Sequence, residues 1–260
     1  PSSRSAREAA VEATSITSIM NSNHPRAALK ELAENYALEK GLSIYSSYKS
    51  VAIFTELGDN FFPSSYESIR RNEFWSERLQ KDHTQVPNAK EIQSSSSSDA
   101  LLMSIFCHPK IGEWKGVRDL LKLESIHPEF GVKPGVRKIG SKGDKTEIDL
   151  ALDGIFVEAK LTESGFTEKA VLEVEAYSDL QPHFHVDLLS RKGEFFDNYQ
   201  VIRNLLAAIQ CERCHLLFCD ERRPDLVRAY FQTVGCLREV SNRKRCGVIF
   251  WQEIARVCGR

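Results

Sequence analysis

The sequence has no long apolar run. Its most apolar stretches, Leu101 to Cys107 and Leu216 to Cys219, fall far short of the roughly 20 residues needed to span a bilayer, so no membrane association is expected. The opening Pro1-Ser2-Ser3-Arg4 leads into no apolar signal core, so a cytoplasmic location is expected. Cysteine is missing from the first 106 residues, and the seven that follow are odd in number. That argues against a disulfide framework and for reduced thiols. Charge of one sign is not in excess: the net charge is −1, so a nucleic-acid binder would need a local basic face rather than a basic chain. Neither a G-x-x-x-x-G-K-[ST] loop nor a G-x-S-x-G elbow occurs, which excludes an intrinsic NTPase motor and a serine-hydrolase elbow.

At 260 residues the chain can bury one large core, or a core with an extension. Basic residues gather late, in Arg222-Arg223, Arg228, Arg238 and Arg243-Lys244-Arg245. They read equally as a solvated surface or as a nucleic-acid face. Cys211-Glu212-Arg213-Cys214 is a CxxC without a second pair at zinc-ligand spacing, and its simplest reading is a helix end running into a strand. His183, His185 and Asp187 could ligate a metal from one strand face, but a loop fits them better. Trp75, Trp114 and Trp251 are expected in the core.

Residues 1 to 24 are rich in Ser, Ala and Arg, the composition of a frayed or isolated helix. A helix is predicted from Pro25 to about Lys40, stopped at Gly41, and another from Pro63. The serines 94–98 combine a linker composition with good N-caps, and they precede the apolar Ala100 to Phe106. They are read as a short loop feeding a buried helix. Residues 1–98 are taken as a helical extension and 99–260 as the core. From Gly131 a loop punctuated by Gly135, Gly140 and Gly143 is expected, with Lys142 and Asp144 inside it. Then come a hairpin, a helix over 195–210, a strand over 215–219, a helix over 224–234, a strand over 247–251 and a helix over 253–257. That order specifies an α/β fold with a central mixed sheet flanked by helices.

The hairpin carries the chemistry. Thr146 to Leu152 alternates polar and apolar residues, Asp153-Gly154 is a two-residue turn, and Ile155 to Leu161 returns. This sets Leu152 opposite Ile155, Leu150 opposite Val157, Asp149 opposite Glu158 and Glu147 opposite Lys160. The four charged residues share one side, and Ile148, Leu150, Leu152, Ile155, Val157 and Ala159 form an apolar back face. Opposed residues have Cβ atoms about 4.5–5.5 Å apart. Two carboxylates at that spacing repel unless a cation lies between them, and hard cations such as Mg²⁺ take one or two carboxylates together with phosphate oxygens. A lysine two residues on can neutralise charge on a phosphate. The bland alternative is a surface hairpin with ordinary cross-strand ion pairs, such as Glu147 with Lys160.

Asp149, a short turn and Glu158-Ala159-Lys160 together resemble the D…ExK signature of the PD-(D/E)XK nuclease superfamily, the restriction-endonuclease-like fold. The likeness spans about residues 100–255. It implies a metal-dependent nuclease acting on DNA in preference to RNA. Asp149, Glu158 and the carbonyl of Ala159 would be ligands for Mg²⁺ or Mn²⁺, with Lys160 the catalytic lysine. It also implies a glutamate on the first core helix, with Glu124 favoured over Glu113, and a glutamine on the helix after ExK, here Gln200 in Tyr199-Gln200-Val201-Ile202-Arg203. Ile148 stands where the family often has proline. One site cuts one strand, so a double-strand break implies a homodimer or two visits. An inactive nucleic-acid-binding or protein-interaction module on the same fold stays open, as does a zinc-stabilised protein built around Cys211 and Cys214.

Overall fold

A computed structural model of the chain describes residues 25–45, 50–84, 86–140 and 143–258. The helix expected before residue 24 and Lys142 of the expected loop lie outside the described residues. Among the described residues no helix is long and apolar enough to cross a membrane. Two compact units emerge. One comprises the described parts of 1–60 with 79–97; the other comprises 61–78 with 98–258. The chain passes between the units at 60/61, 78/79 and 97/98, so 61–78 belong to the second unit.

The first unit carries α1 (Pro25–Lys40), which ends where Gly41 turns to a positive φ of 65°. The rest is held by isolated bridges, Ile44 with Phe54, Ile53 with Ser94 and Asp82 with Lys90, around Ile53, Val86 and Ala89. Ser94 and Ser95 are not a linker here. Ser95 donates its N–H to the Ala52 carbonyl, and its hydroxyl accepts from the Ala52 N–H. Gln93 serves the Phe54 and Thr55 carbonyls, and Asn60 those of Ile92 and Ser94. Polar side chains therefore satisfy backbone that no sheet would.

The second unit opens with α2 (Pro63–Arg71) and α3 (Glu73–Arg78), separated at Asn72. Next come α4 (Ser98–Phe106) and α5 (Lys115–Leu121). A five-stranded sheet follows, built from β1 (Glu129–Val132), β2 (Ile148–Leu152), β3 (Ile155–Ala159), β7 (Cys214–Cys219) and β8 (Cys246–Phe250) in that spatial order. β1, β2 and β3 are antiparallel neighbours; β7 and β8 join in parallel. Between β3 and β7 lie a small sheet, β4 (Lys169–Ala170), β5 (Arg191–Lys192) and β6 (Phe195–Phe196), and the helices α6 (Val171–Glu175), α7 (Leu180–His183) and α8 (Tyr199–Gln210). α9 (Pro224–Gly235), α10 (Val240–Arg243) and α11 (Trp251–Val257) complete it. This is the α/β, helix-flanked mixed sheet expected, in a restriction-endonuclease-like arrangement.

Leu217 and Phe218 are neighbours on β7 and point to opposite faces. Leu217 joins Phe156 and the α8 and α9 residues Ile202, Leu205, Leu206, Leu226 and Tyr230 in the main core. Phe218 stacks on Phe106 of α4 at 6.2 Å and meets Trp251 of α11 edge-on at 5.6 Å. Each such buried side chain contributes about 1.5–3 kcal/mol. The hairpin is thus covered on both faces, not exposed on its charged side, because helices pack on each side of the mixed sheet.

Several expectations need correction. β1 occupies part of the segment read as a loop. The run 195–198 is strand and cap rather than helix, so α8 starts at Tyr199. Trp75 and Trp114 are only half-buried, whereas Trp251 is core. His183 ends α7, and His185 Nδ1 lies 3.3 Å from an Arg238 nitrogen.

Candidate active site

The turn at 153–154 forms because Gly154 takes a φ of 76°, open to glycine without strain. Asp153 is tied down by the Ser125 hydroxyl at 2.8 Å and lies 3.0 Å from His127 Nδ1. The observed register pairs Leu152 with Ile155, Ala151 with Phe156 and Leu150 with Val157. One step on, Asp149 Oδ2 accepts the Ala159 N–H at 2.9 Å, so a carboxylate takes over from the ladder where the acidic pair sits.

Glu158 is fully buried. Its Oε2 accepts from Asn204 Nδ2 of α8 at 2.6 Å. Its Oε1 lies 2.8 Å from Lys160 Nζ. The Lys160 ammonium is thus the charge this buried oxygen faces. Lys160 Nζ donates to Gln200 Oε1 at 3.0 Å, and that oxygen also accepts the Thr167 N–H at 3.1 Å. The backbone of Lys160 is pinned as well. Its N–H donates to the Phe218 carbonyl at 2.8 Å, and its own carbonyl accepts from Trp251 Nε1 at 2.9 Å.

The electrostatics divide the pair of acids. Burial raises the pKa of Asp149, and the charges of Glu158 and Asp99 push it further, well above the usual carboxylate range. Burial acts the same way on Glu158, but the Lys160 ammonium outweighs it and leaves that carboxyl below its ordinary value. Lys160 is the mirror case: burial lowers it, and Glu158, Glu163 and Asp149 together raise it, so it stays an ammonium. His215, buried beneath the site on β7, is pushed down to about 4 by burial and is neutral. Its Nδ1 lies 2.9 Å from the Tyr230 hydroxyl.

Asp149, Glu158, Lys160, Ala159 and Gln200 are therefore brought together, and Lys160 pairs with Glu158, not with Glu147. Glu147 lies 3.3 Å from Lys133 and 3.3 Å from Arg78. Glu124 is placed elsewhere. α5 ends at Lys122, left-handed at φ 56°, and Glu124 lies exposed on the segment before β1. Glu113, the other candidate, is exposed in a short 3₁₀ turn. The helical acid near Asp149 is Asp99, on the first turn of α4.

Two arginines complete the cluster, Arg203 from the helix segment already noted with Gln200 and Arg78 with no sequence signal of its own. Arg78 of α3 donates to Asp99 at 2.6 Å and reaches Glu147. Gly131 lies directly under Arg78: a Cβ there would collide with the guanidinium, and the φ of 64° also favours glycine. Arg203 of α8 donates to the Glu147 carbonyl at 2.9 Å and to the Asn204 side chain. It thereby holds the amide that holds Glu158.

A buried carboxylate, a half-buried one, a nearby backbone carbonyl and a fixed ammonium form a hard oxygen donor set beside a cation. No third His, Cys, Asp or Glu joins in metal-ligand geometry among the described residues. That also holds around Cys211 and Cys214, which are exposed and half-exposed.

A sequence model of the family described as "Restriction Endonuclease associating with ARP" matches residues 29–258. No curated protein and no solved structure matches the chain.

Proposed function

The chain belongs to the family described as Restriction Endonuclease associating with ARP, and from that premise we propose that it is a metal-dependent nuclease of the PD-(D/E)XK type that hydrolyses phosphodiester bonds in DNA. The observation that carries this reading is the Asp149–Glu158 pair with Lys160 held 2.8 Å from Glu158. Like-charged buried acids side by side are costly unless a cation serves them. The donor set fits a hard divalent ion: Asp149, Glu158 and the Ala159 carbonyl would hold Mg²⁺ or Mn²⁺, and all three are oxygen donors. When bound, such an ion supplies charge neutralisation at the phosphate.

The chain's own residues do the rest. Lys160 stays charged and sits where negative charge grows on the phosphoryl oxygens, which it stabilises. Gln200 and Trp251 fix its side chain and its backbone, so little reorganisation is needed as the reaction proceeds. Asn204, held by Arg203, orients Glu158. In line with the family description, we place the chain in association with an ARP partner. Double-strand cleavage would need a second copy or a second visit.

Plasmid and linear DNA incubated with Mg²⁺ or Mn²⁺, with and without that partner, test the reading. Cleavage that requires the metal and disappears in Lys160→Ala and Glu158→Ala is the expected result. Cleavage retained in both variants would move the active site elsewhere. No cleavage of DNA or RNA under any of these conditions would leave a binding module.

A further inference from the structure

Lys160 serves the Glu158 end of the acidic pair, and Arg78 serves the Asp149 end. Arg78 stands on the last turn of α3, and its side chain is 14% exposed. One guanidinium nitrogen donates to Asp99 Oδ2 at 2.6 Å, and another to Glu147 Oε2 at 3.3 Å. Glu147 lies two positions before Asp149, at the entry to β2. Asp149 adds to the negative charge that Arg78 feels, and Asp99 to the negative charge that raises Asp149. Three acids therefore face one guanidinium.

An arginine buried for stability alone has all its donors used. Here Nε is buried and has no acceptor among the described residues. Charge, and not a complete set of hydrogen bonds, sets where the group lies. Room is kept for it as well, since a Cβ on Gly131 would collide with Nη1. Acids grouped in this way can be neutralised by a protein cation or by a metal ion, but not by both in one place. Where nucleases use two metal ions, these stand about 3.5–4 Å apart, which puts one acid within reach of both. An ion on Asp149, Glu158 and the Ala159 carbonyl would leave the other side of Asp149 for a second, with Asp99 and Glu147 as its further carboxylates. Arg78 engages those two.

We infer that Arg78 takes the place of a second metal ion: its guanidinium engages Asp99 and Glu147 beside Asp149 and holds the site to one divalent ion per chain. The inference rests on the nuclease reading. Arg78 is then a positioning residue. It fixes two acids and supplies positive charge on the Asp149 side, as Lys160 does on the Glu158 side. The planar fork suits that task, because it can serve two carboxylates at once.

The test counts Mn²⁺ on the full chain, by isothermal titration and by electron paramagnetic resonance, in which two neighbouring Mn²⁺ ions give a coupled spectrum. The native chain should bind one ion, uncoupled. Arg78→Gln keeps a side-chain donor and removes the charge. It should bind two ions, coupled, and the first of them several-fold tighter, because a neighbouring positive charge is gone. Arg78→Lys should return the count to one. So should Arg78→Gln combined with Asp99→Asn, which takes a carboxylate from the second position. Thermal melts in chelator check that each variant folds, and Arg78→Met replaces Arg78→Gln if that one does not. Two ions on the native chain would overturn the inference whatever the variants do. One ion in Arg78→Gln, or a first ion held more weakly there, would overturn it too, since losing a merely structural arginine loosens the site. Those results leave the nuclease reading standing. A native chain that binds no Mn²⁺ sinks that reading, and the inference with it.

Discussion

Two carboxylates lie five residues apart, one buried and one half-buried, and meet opposite fates. Asp144 accepts the Thr146 N–H at 2.7 Å, the hydroxyls of Thr146 and Tyr177, and the Tyr199 hydroxyl at 3.1 Å, with Lys138 at 3.5 Å. Burial alone would raise it, but those donors outweigh burial and hold it far below the usual range. Asp149 has one backbone donor and two acidic neighbours, and it is raised. The first carboxylate is paired by its neighbours; the second, on the reading proposed above, awaits a ligand. An acid whose every lone pair is answered is structural; an acid pressed against another acid marks chemistry.

The largest effect should come from breaking the second cluster. Lys160→Ala or Glu158→Gln should lower DNA cleavage on the order of 10²–10³-fold, as losing one preorganised group at a charge-developing site does, measured as initial rates at saturating Mg²⁺. Far-ultraviolet circular dichroism should match the native chain in Glu158→Gln. The first cluster should answer in stability instead. Asp144→Ala strands two tyrosines and a threonine, and should cost about 3 kcal/mol in a urea titration, in the range for loss of a buried hydrogen-bond network.

The same residue sets a pH dependence. Its folded-state pKa lies below the unfolded value of about 3.9, so its contribution is complete above pH ~4 and fades as the pH falls below that. The urea-midpoint gap between native and Asp144→Asn should therefore narrow on acidification below pH ~4. A constant gap would show that the charge is not what counts. In contrast, Asp149→Asn should raise the thermal midpoint in chelator by a few degrees, about 1 kcal/mol, because it removes a like-charge contact. A lower midpoint would mean that Asp149 is structural after all. The smallest effect belongs to Glu124→Ala, expected within about 0.5 kcal/mol and with unchanged cleavage, as for an ordinary exposed residue.

The hairpin was legible because its signals are local. Period-two alternation and one Asp-Gly turn are enough to set which residues oppose, and the observed pairs from Leu150 to Val157 follow that register. Gln200 was reachable only through family resemblance, since its link to Lys160 spans forty residues. Glu124 was misplaced for a physical reason: the leucines at 120, 121 and 123 read as one continuing helix, but the chain turns left-handed at Lys122. Asp99 hid inside a serine-rich stretch that looks like a linker. Arg78 came from a helix assigned to the extension. β1 contains Gly131, which reads as punctuation and is in fact the space left for Arg78. The two-residue strands β4, β5 and β6 are too short for any periodicity to show.

The bond from Trp251 Nε1 to the Lys160 carbonyl joins residues 91 positions apart. A growing chain emerges from the ribosome in order, at roughly 5–20 residues per second. For several seconds, then, Glu158 and Lys160 are out of the tunnel while the indole that clamps the lysine's backbone has yet to be made. The sheet neighbour that takes the Lys160 N–H, β7, arrives earlier, so the site is assembled in two instalments and gains its last support only when α11 docks. The site would in this way remain slack while residues 161–250 are being made and tighten only once α11 has followed.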